Sequence, residues 1–144
     1  MRISEIDLQC EEIMWFATDN KGNIFECTSA GCGNVPEYVC RSREETETLL
    51  DYFMEKAPSI TTSKLLIPAE DNDLISEVKK LSSKGLYCFD LTDYDNDDKY
   101  TCISIPEKAV NISELPENIQ ALLSDHIYSG DVSKEHTITV EHAY

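Results

Sequence analysis

Five carboxylates fall within nine residues at Asp90, Asp93, Asp95, Asp97 and Asp98. Asp93, Asp95 and Asp97 hold positions 1, 3 and 5 of an EF-hand-like pattern, the spacing that presents oxygen ligands to a hard cation such as calcium. The rest of the pattern departs from it. Asp98 stands where the loop needs glycine, Ser104 stands where a bidentate Glu would close the shell, and the flanking segments read as strands instead of helices. The acidic run is therefore expected to be a solvated hairpin tip or a contact surface for a basic partner, and no metal is assigned to it. A second candidate is the trio Cys27, Cys32 and Cys40, spaced C-x4-C-x7-C. Structural zinc takes four ligands, usually with a close C-x2-C pair, and that pair is missing here. His126, His136 and His142 lie far away in the chain. No cofactor is implied.

Cys32 stands between Gly31 and Gly33, so the backbone there can approach a reacting group closely. A thiolate nucleophile needs a base within hydrogen-bond reach and a lowered pKa. One of the three histidines could supply the base through folding, whereas the acidic surroundings oppose a thiolate. A small-ligand or cysteine-dependent site on the loop Gly31, Cys32, Gly33 is thus one reading, and a glycine-permitted turn is the other. Walker, G-x-G-x-x-G, H-E-x-x-H and G-x-S-x-G motifs do not occur.

The elements that must carry these residues follow from hydrophobic periodicity. Ile13-Met14-Trp15-Phe16-Ala17 is a short apolar run of the kind buried on both faces of a sheet, with Trp15 expected in the core. Asp19-Asn20-Lys21-Gly22 suits a tight turn, and Asn23–Thr28 returns as a second strand. In that strand Phe25 and Cys27 share one face while Ile24, Glu26 and Thr28 share the other, which predicts a half-exposed strand. Ser29–Pro36 is a loop by composition.

Ser42-Arg43-Glu44-Glu45 has the form of a capping box and opens a helix. Its apolar stripe is Leu49, Leu50, Phe53, Met54 and Ala57, and Pro58 stops it. Lys64–Ile67 reads as a short strand. Leu74, Ile75, Val78 and Leu81 mark a second helix ended by Gly85. Leu86–Leu91 and Tyr100–Ile105 read as strands around the acidic run. A third helix is predicted from Leu115 to Ile127 with a half-buried, satisfied His126 near its end, followed by a last strand over Thr137–Glu141. His136 and His142 flank that strand and would share a face. Two connections look like hairpins, so the expected class is α+β: a mixed, largely antiparallel sheet with an N-terminal β-hairpin and about three helices packed on it.

The chain has 144 residues, 28 acids against 12 Lys plus Arg, and a net charge of −16. That length suits a single domain with a hydrophobic core of its own. Each half carries 14 acids and 6 Lys plus Arg, so the acidity is a property of the whole domain and not of a tail. Such a charge repels phosphate, which argues against nucleic acid and against anionic membranes as partners. No apolar run approaches a bilayer span and the first residues contain no signal segment, so a cytoplasmic location is expected, with the six cysteines reduced. Cys10, Cys27, Cys88 and Cys102 are predicted to be buried structural thiols.

Residues 12–55 resemble the opening of a group of small uncharacterised bacterial proteins. The shared features are Trp15-Phe16-Ala17, Asp19, Gly22 and Ile24, then Ser29-Ala30-Gly31-Cys32-Gly33, Val35-Pro36, and a helix such as Leu49-Leu50-Asp51-Tyr52-Phe53. Some small acidic proteins of this style resemble immunity proteins, which bind and neutralise a toxin from a competing bacterium. The resemblance implies a non-enzymatic, protein-binding role and brings no site residues with it. Electrostatic complementarity to a basic protein, such as a toxin domain, would then act through Asp93, Asp95, Asp97 and Asp98 first, and through Glu44, Glu45 and Glu47 second.

Overall fold

A computed structural model describes residues 1–68 and 72–144. In chain order its elements are α1 (Glu5–Cys10), β1 (Met14–Thr18), β2 (Ile24–Thr28), α2 (Glu37–Cys40), α3 (Arg43–Asp51, continued by a π-helical turn over Tyr52–Lys56) and β3 (Ser63–Leu65). There follow α4 (Asp73–Ser83), β4 (Tyr87–Asp90), β5 (Lys99–Pro106), a 3-10 turn (Ile112–Glu114), α5 (Glu117–Leu123) and β6 (Thr137–Thr139). The mixed α+β class with a largely antiparallel sheet is what the periodicity predicts.

Among the described residues six strands form one sheet in the order β1-β2-β4-β5-β3, with β6 also pairing β5. β1–β2 and β4–β5 are the two antiparallel hairpins, and β2–β4 is the parallel pairing. β3 and β6 share the far edge of β5, against Ser104–Pro106 and Lys99–Thr101 respectively. The first turn closes at Gly22, whose φ of 82° suits a residue without a Cβ. Asp19 Oδ1 holds that turn by accepting from the Lys21 and Asn23 amides, each at 2.9 Å.

The half-exposed β2 expected from alternation is corrected by this topology, because all five of its residues are buried. β2 lies between β1 and β4, and both faces of the sheet are covered. One face packs Phe16, Ile24, Cys88 and Ile103 beneath Leu49 and Phe53 of α3 and its π turn, Val78 and Leu81 of α4, and Ile119 and Leu123 of α5. The other packs Trp15, Phe25, Cys27, Phe89 and Tyr100 against Leu8 of α1, Val39 of α2, and Val35, Val132 and Val140 from irregular segments. Trp15 is a core residue, edge-on to Phe25, Tyr38 and Tyr100 at 5.9–6.3 Å.

The helices differ from expectation at their ends. Ser42 caps α3 by accepting from the Glu45 amide at 3.2 Å, but Glu45 turns to Arg41 at 3.5 Å instead of completing the box. Asn72 caps α4, accepting from Ile75 N at 2.9 Å. α5 is shorter than the predicted Leu115–Ile127 helix. After Ser124 the chain turns to run beside β1, where Thr18 N donates to His126 O and Tyr128 N to Thr18 O, both at 2.8 Å. α1 and α2 are too short to show a period in sequence. Cys10 ends α1 in solvent, which corrects its expected burial, since Leu8 is the residue that α1 inserts into the core. Cys27, Cys40, Cys88 and Cys102 are buried, and all six thiols are free. Among the described residues no helix is long and apolar enough to cross a membrane.

Candidate functional site

The three sequence-predicted clusters take very different positions. At the hairpin tip Asp93 is occupied locally: Oδ1 accepts from Asp95 N at 3.0 Å and Oδ2 from Asn96 Nδ2 at 2.5 Å. This is the Asx-turn use of an aspartate. The backbone of Asp97 and Asp98 then ties the tip to the rest of the fold, accepting from Asn34 N and Val140 N at 2.8 Å. The Asp98 carboxylate stands 3.9 Å from Lys99 Nζ. Asp95 is exposed. Among the described residues no three His, Cys, Asp or Glu side chains converge in a way that would hold a metal ion. Cys27 and Cys40 lie in the core while Cys32 is exposed.

The loop around Cys32 borders a cleft of about 220 Å³ together with Asn34, Asp97 and His142. Folding thus brings a histidine to the cysteine loop. The strand β6 ends at Thr139, so His142 lies beyond it and does not share a strand face with His136. His142 Nδ1 accepts from Val35 N at 3.3 Å, and no hydrogen bond joins His142 to Cys32 among the described residues. Partial burial and the neighbouring Asp97 push the Cys32 thiol above its ordinary pKa, which keeps it protonated. Gly31 has φ 78°, and a Cβ on Gly33 would lie 2.5 Å from the Tyr100 hydroxyl. Both glycines are required by the turn and its packing.

On α3 the three predicted glutamates separate. Glu44 meets the N-terminal amine at 2.5 Å, and this partner holds its carboxyl below the usual range. Glu45 reaches Arg41. Glu47 instead lines two adjoining depressions of about 300 and 380 Å³ that share Met14, Glu47 and Leu50. Together they form a trough along α3. Its apolar floor is Met14 of β1 with Leu50 and Met54 of the predicted α3 stripe, all half-buried because they edge the core instead of filling it. Glu11, Glu12, Glu47, Asp51, Glu55 and Glu77 rim it. Among the described residues that line it the one basic side chain, Arg43, is held by Asp7 at 3.2 Å and Glu11 at 3.0 Å, and Asp51 is matched by Lys56 at 3.0 Å. Glu12, Glu47, Glu55 and Glu77 have no cation within 4.0 Å among the described residues. Burial and the nearby Glu12 and Asp73 raise the pKa of Glu77.

Sequence reasoning missed the most unusual group, Glu26. It is wholly buried in the centre of the sheet, opposite Phe16 on β1 and Cys88 on β4. Oε1 accepts from Thr28 Oγ1 at 2.6 Å, while Oε2 has no hydrogen-bond partner among the described residues. Loss of hydration favours the neutral acid and pushes the Glu26 pKa to about 8 despite the Thr28 hydrogen bond. Beside it Ser82 Oγ and Ser104 Oγ share a 2.7 Å hydrogen bond, and Cys88 Sγ reaches Val78 O at 3.7 Å. Asp90, two residues along β4 from Cys88, is raised to about 6, chiefly by burial. His126 is also more buried than expected, at 1% exposure. Its Nδ1 lies 2.9 Å from Phe16 O and therefore carries the proton, its Nε2 has no hydrogen-bond partner among the described residues although Asp125 Oδ1 stands 3.9 Å away, and burial lowers its pKa. A glutamate between Phe25 and Cys27 reads as a surface residue until the strand is known to be central.

Comparison with protein-family models, with curated proteins and with solved structures found no match in any of the three.

Proposed function

We propose that the chain is a non-enzymatic acidic module that binds a basic protein partner, of which a toxin domain held by an immunity-type protein is the case the sequence resemblance implies. The observation that carries this reading is the trough along α3, where half-buried apolar surface lies inside a ring of carboxylates, four of which, Glu12, Glu47, Glu55 and Glu77, have no cation within 4.0 Å among the described residues. An apolar centre with a charged rim is the general anatomy of a protein interface. The net charge of −16 would draw a cationic protein toward it and speed encounter. The three arginines support the same reading. Arg2 pairs with Glu37 at 2.6 Å, Arg41 with Asp125 and Glu45, and Arg43 with Asp7 and Glu11, so the fold spends them locally and leaves the trough negative.

Capture on the immobilised chain from lysate, elution by a salt gradient and re-binding of each purified product tests this. The expected partner is basic, binds as a purified protein and weakens steeply as salt rises. A partner set that is neutral or acidic, with salt-insensitive binding, would overturn the proposal. The tetra-substituted Asp93→Asn, Asp95→Asn, Asp97→Asn, Asp98→Asn chain measures the share of the hairpin tip, and Glu47→Gln that of the trough. A second reading, a small-ligand or cysteine-dependent site, draws on the cleft that Cys32 shares with His142. The protonated thiol and the absence of a Cys32–His142 hydrogen bond weigh against it.

A further inference from the structure

We infer that the trough receives one amphipathic helix of the partner, its apolar side chains seated on Met14, Leu50 and Met54 and its Lys or Arg flanks facing Glu12, Glu47 and Glu77. The inference rests on the basic-partner reading above and narrows it to a segment.

The dimensions come from the residues that line the trough. They recur on α3 and its π turn at Arg43, Thr46 and Glu47, Leu50 and Asp51, then Met54 and Glu55. At about 1.5 Å of rise per residue that stripe runs roughly 18 Å, the length of about three turns of a docked helix. Such a helix would offer apolar anchors at i, i+3 or i+4, and i+7. The wall is α3, whose backbone groups are paired within the helix, so side-chain packing must hold an occupant laid along it. Two of the three floor residues are methionines, whose unbranched thioether chains adapt to different apolar surfaces.

Charge decides between occupants. A second copy would set one carboxylate rim against another, and an anionic lipid surface would meet the same repulsion. A neutral apolar helix would bury the rim acids without compensation. A helix with basic flanks removes the apolar floor from water and supplies the missing cations to Glu12, Glu47 and Glu77 in one step.

The chain contains three methionines, Met1, Met14 and Met54, and this makes the test direct. Met1 lies outside the trough and is 82% exposed. Methyl-13C-methionine protein is titrated with a synthetic 14-residue peptide that carries Leu at helical spacing and Lys on both flanks. Controls are a peptide of the same composition with the Leu period scrambled, and one with every Lys replaced by Glu. The expected result is movement of the Met14 and Met54 methyl signals with Met1 still, and gain of helical circular dichroism by the peptide. Weakening of at least about tenfold is expected for Glu47→Lys, by loss of one charge pair and gain of a repulsion. Equal binding of the scrambled peptide, or binding that leaves Met14 and Met54 unmoved, overturns the helix inference while the basic-partner reading stands. Failure of every cationic peptide to bind at low salt overturns both. Leu50→Ala, which trims a half-buried side chain, should weaken the patterned peptide more than the scrambled one, and equal effects on both count against the trough.

Discussion

Replacing Glu26 by Gln should reverse its effect on stability between pH 5 and pH 8. Below about pH 4.5, the ordinary value for a glutamate, the carboxyl is protonated in both folded and unfolded chains. From there to about pH 8 the unfolded chain gives up a proton that the folded chain keeps, so stability falls as pH rises. The two values are about 3.5 apart, and at 1.36 kcal/mol per pH unit the whole loss is about 5 kcal/mol, of which about 3 kcal/mol is already present at pH 7. Gln cannot ionise and carries none of this slope. It keeps the acceptor for Thr28 Oγ1 but puts an amide NH2, with two donors, where the neutral acid has one unpaired O–H, and the added unpaired donor costs about 1–3 kcal/mol at every pH. The variant should therefore be the less stable protein at pH 5 and the more stable one at pH 8. Urea unfolding under reducing conditions, followed by the fluorescence of Trp15, the one tryptophan, measures both proteins across that range. Asp90, raised to about 6, adds a slope of its own below that value in both proteins, and above it the Asp90 charge helps to hold Glu26 neutral. Stability curves that run parallel from pH 5 to pH 8 would refute the buried neutral acid.

His126 acts in the opposite direction. Its lowered pKa means that stability is fully present above about pH 6.5 and is lost as pH falls through the depressed value, so His126→Phe should remove an acid-side loss seen in unfolding experiments below pH 6. At neutral pH the same change should cost about 1–3 kcal/mol, because Phe16 O loses its donor. Gly33→Ala should destabilise by about 1–3 kcal/mol in thermal melts, since the new Cβ meets the Tyr100 hydroxyl at 2.5 Å and Ser29 O at 3.0 Å. Cys32 should be alkylated near neutral pH no faster than the exposed Cys10, and labelling of Cys32 more than about tenfold faster would restore the nucleophile reading.

Local patterns reached as far as local forces extend. The hairpin from Met14 to Thr28, the stripes of α3 and α4, and the antiparallel pair around the acidic run are each specified within twenty residues or fewer, and each was legible. The status of β2 was not, because its second neighbour, β4, lies some sixty residues further along, and only that pairing and the layers above and below it bury Glu26. α1 and α2 are six and four residues long, shorter than the window in which a helical period can be recognised. Leu50 and Met54 read as core, yet they sit at the margin of the stripe beside Glu47 and Glu77, and a trough assembled from α3, α4 and the start of β1 has no contiguous motif. The meeting of Cys32 with His142 is likewise a product of tertiary structure alone.

The parallel seam between β2 and β4 also bears on how the chain reaches its native state. Both hairpins close over short connections and can form early, whereas the seam must bring residues 25–28 to residues 87–90. Until it forms, Glu26 faces water and is ionised at neutral pH. Joining the two halves therefore draws a proton from bulk solvent onto Glu26, and the step should slow as that proton becomes scarce. Stopped-flow refolding rates that decline from pH 6 to pH 8 in the native chain and stay level in Glu26→Gln would place the joining of the hairpins at or before the rate-limiting barrier. A pH-dependence confined to the unfolding rate would place it after.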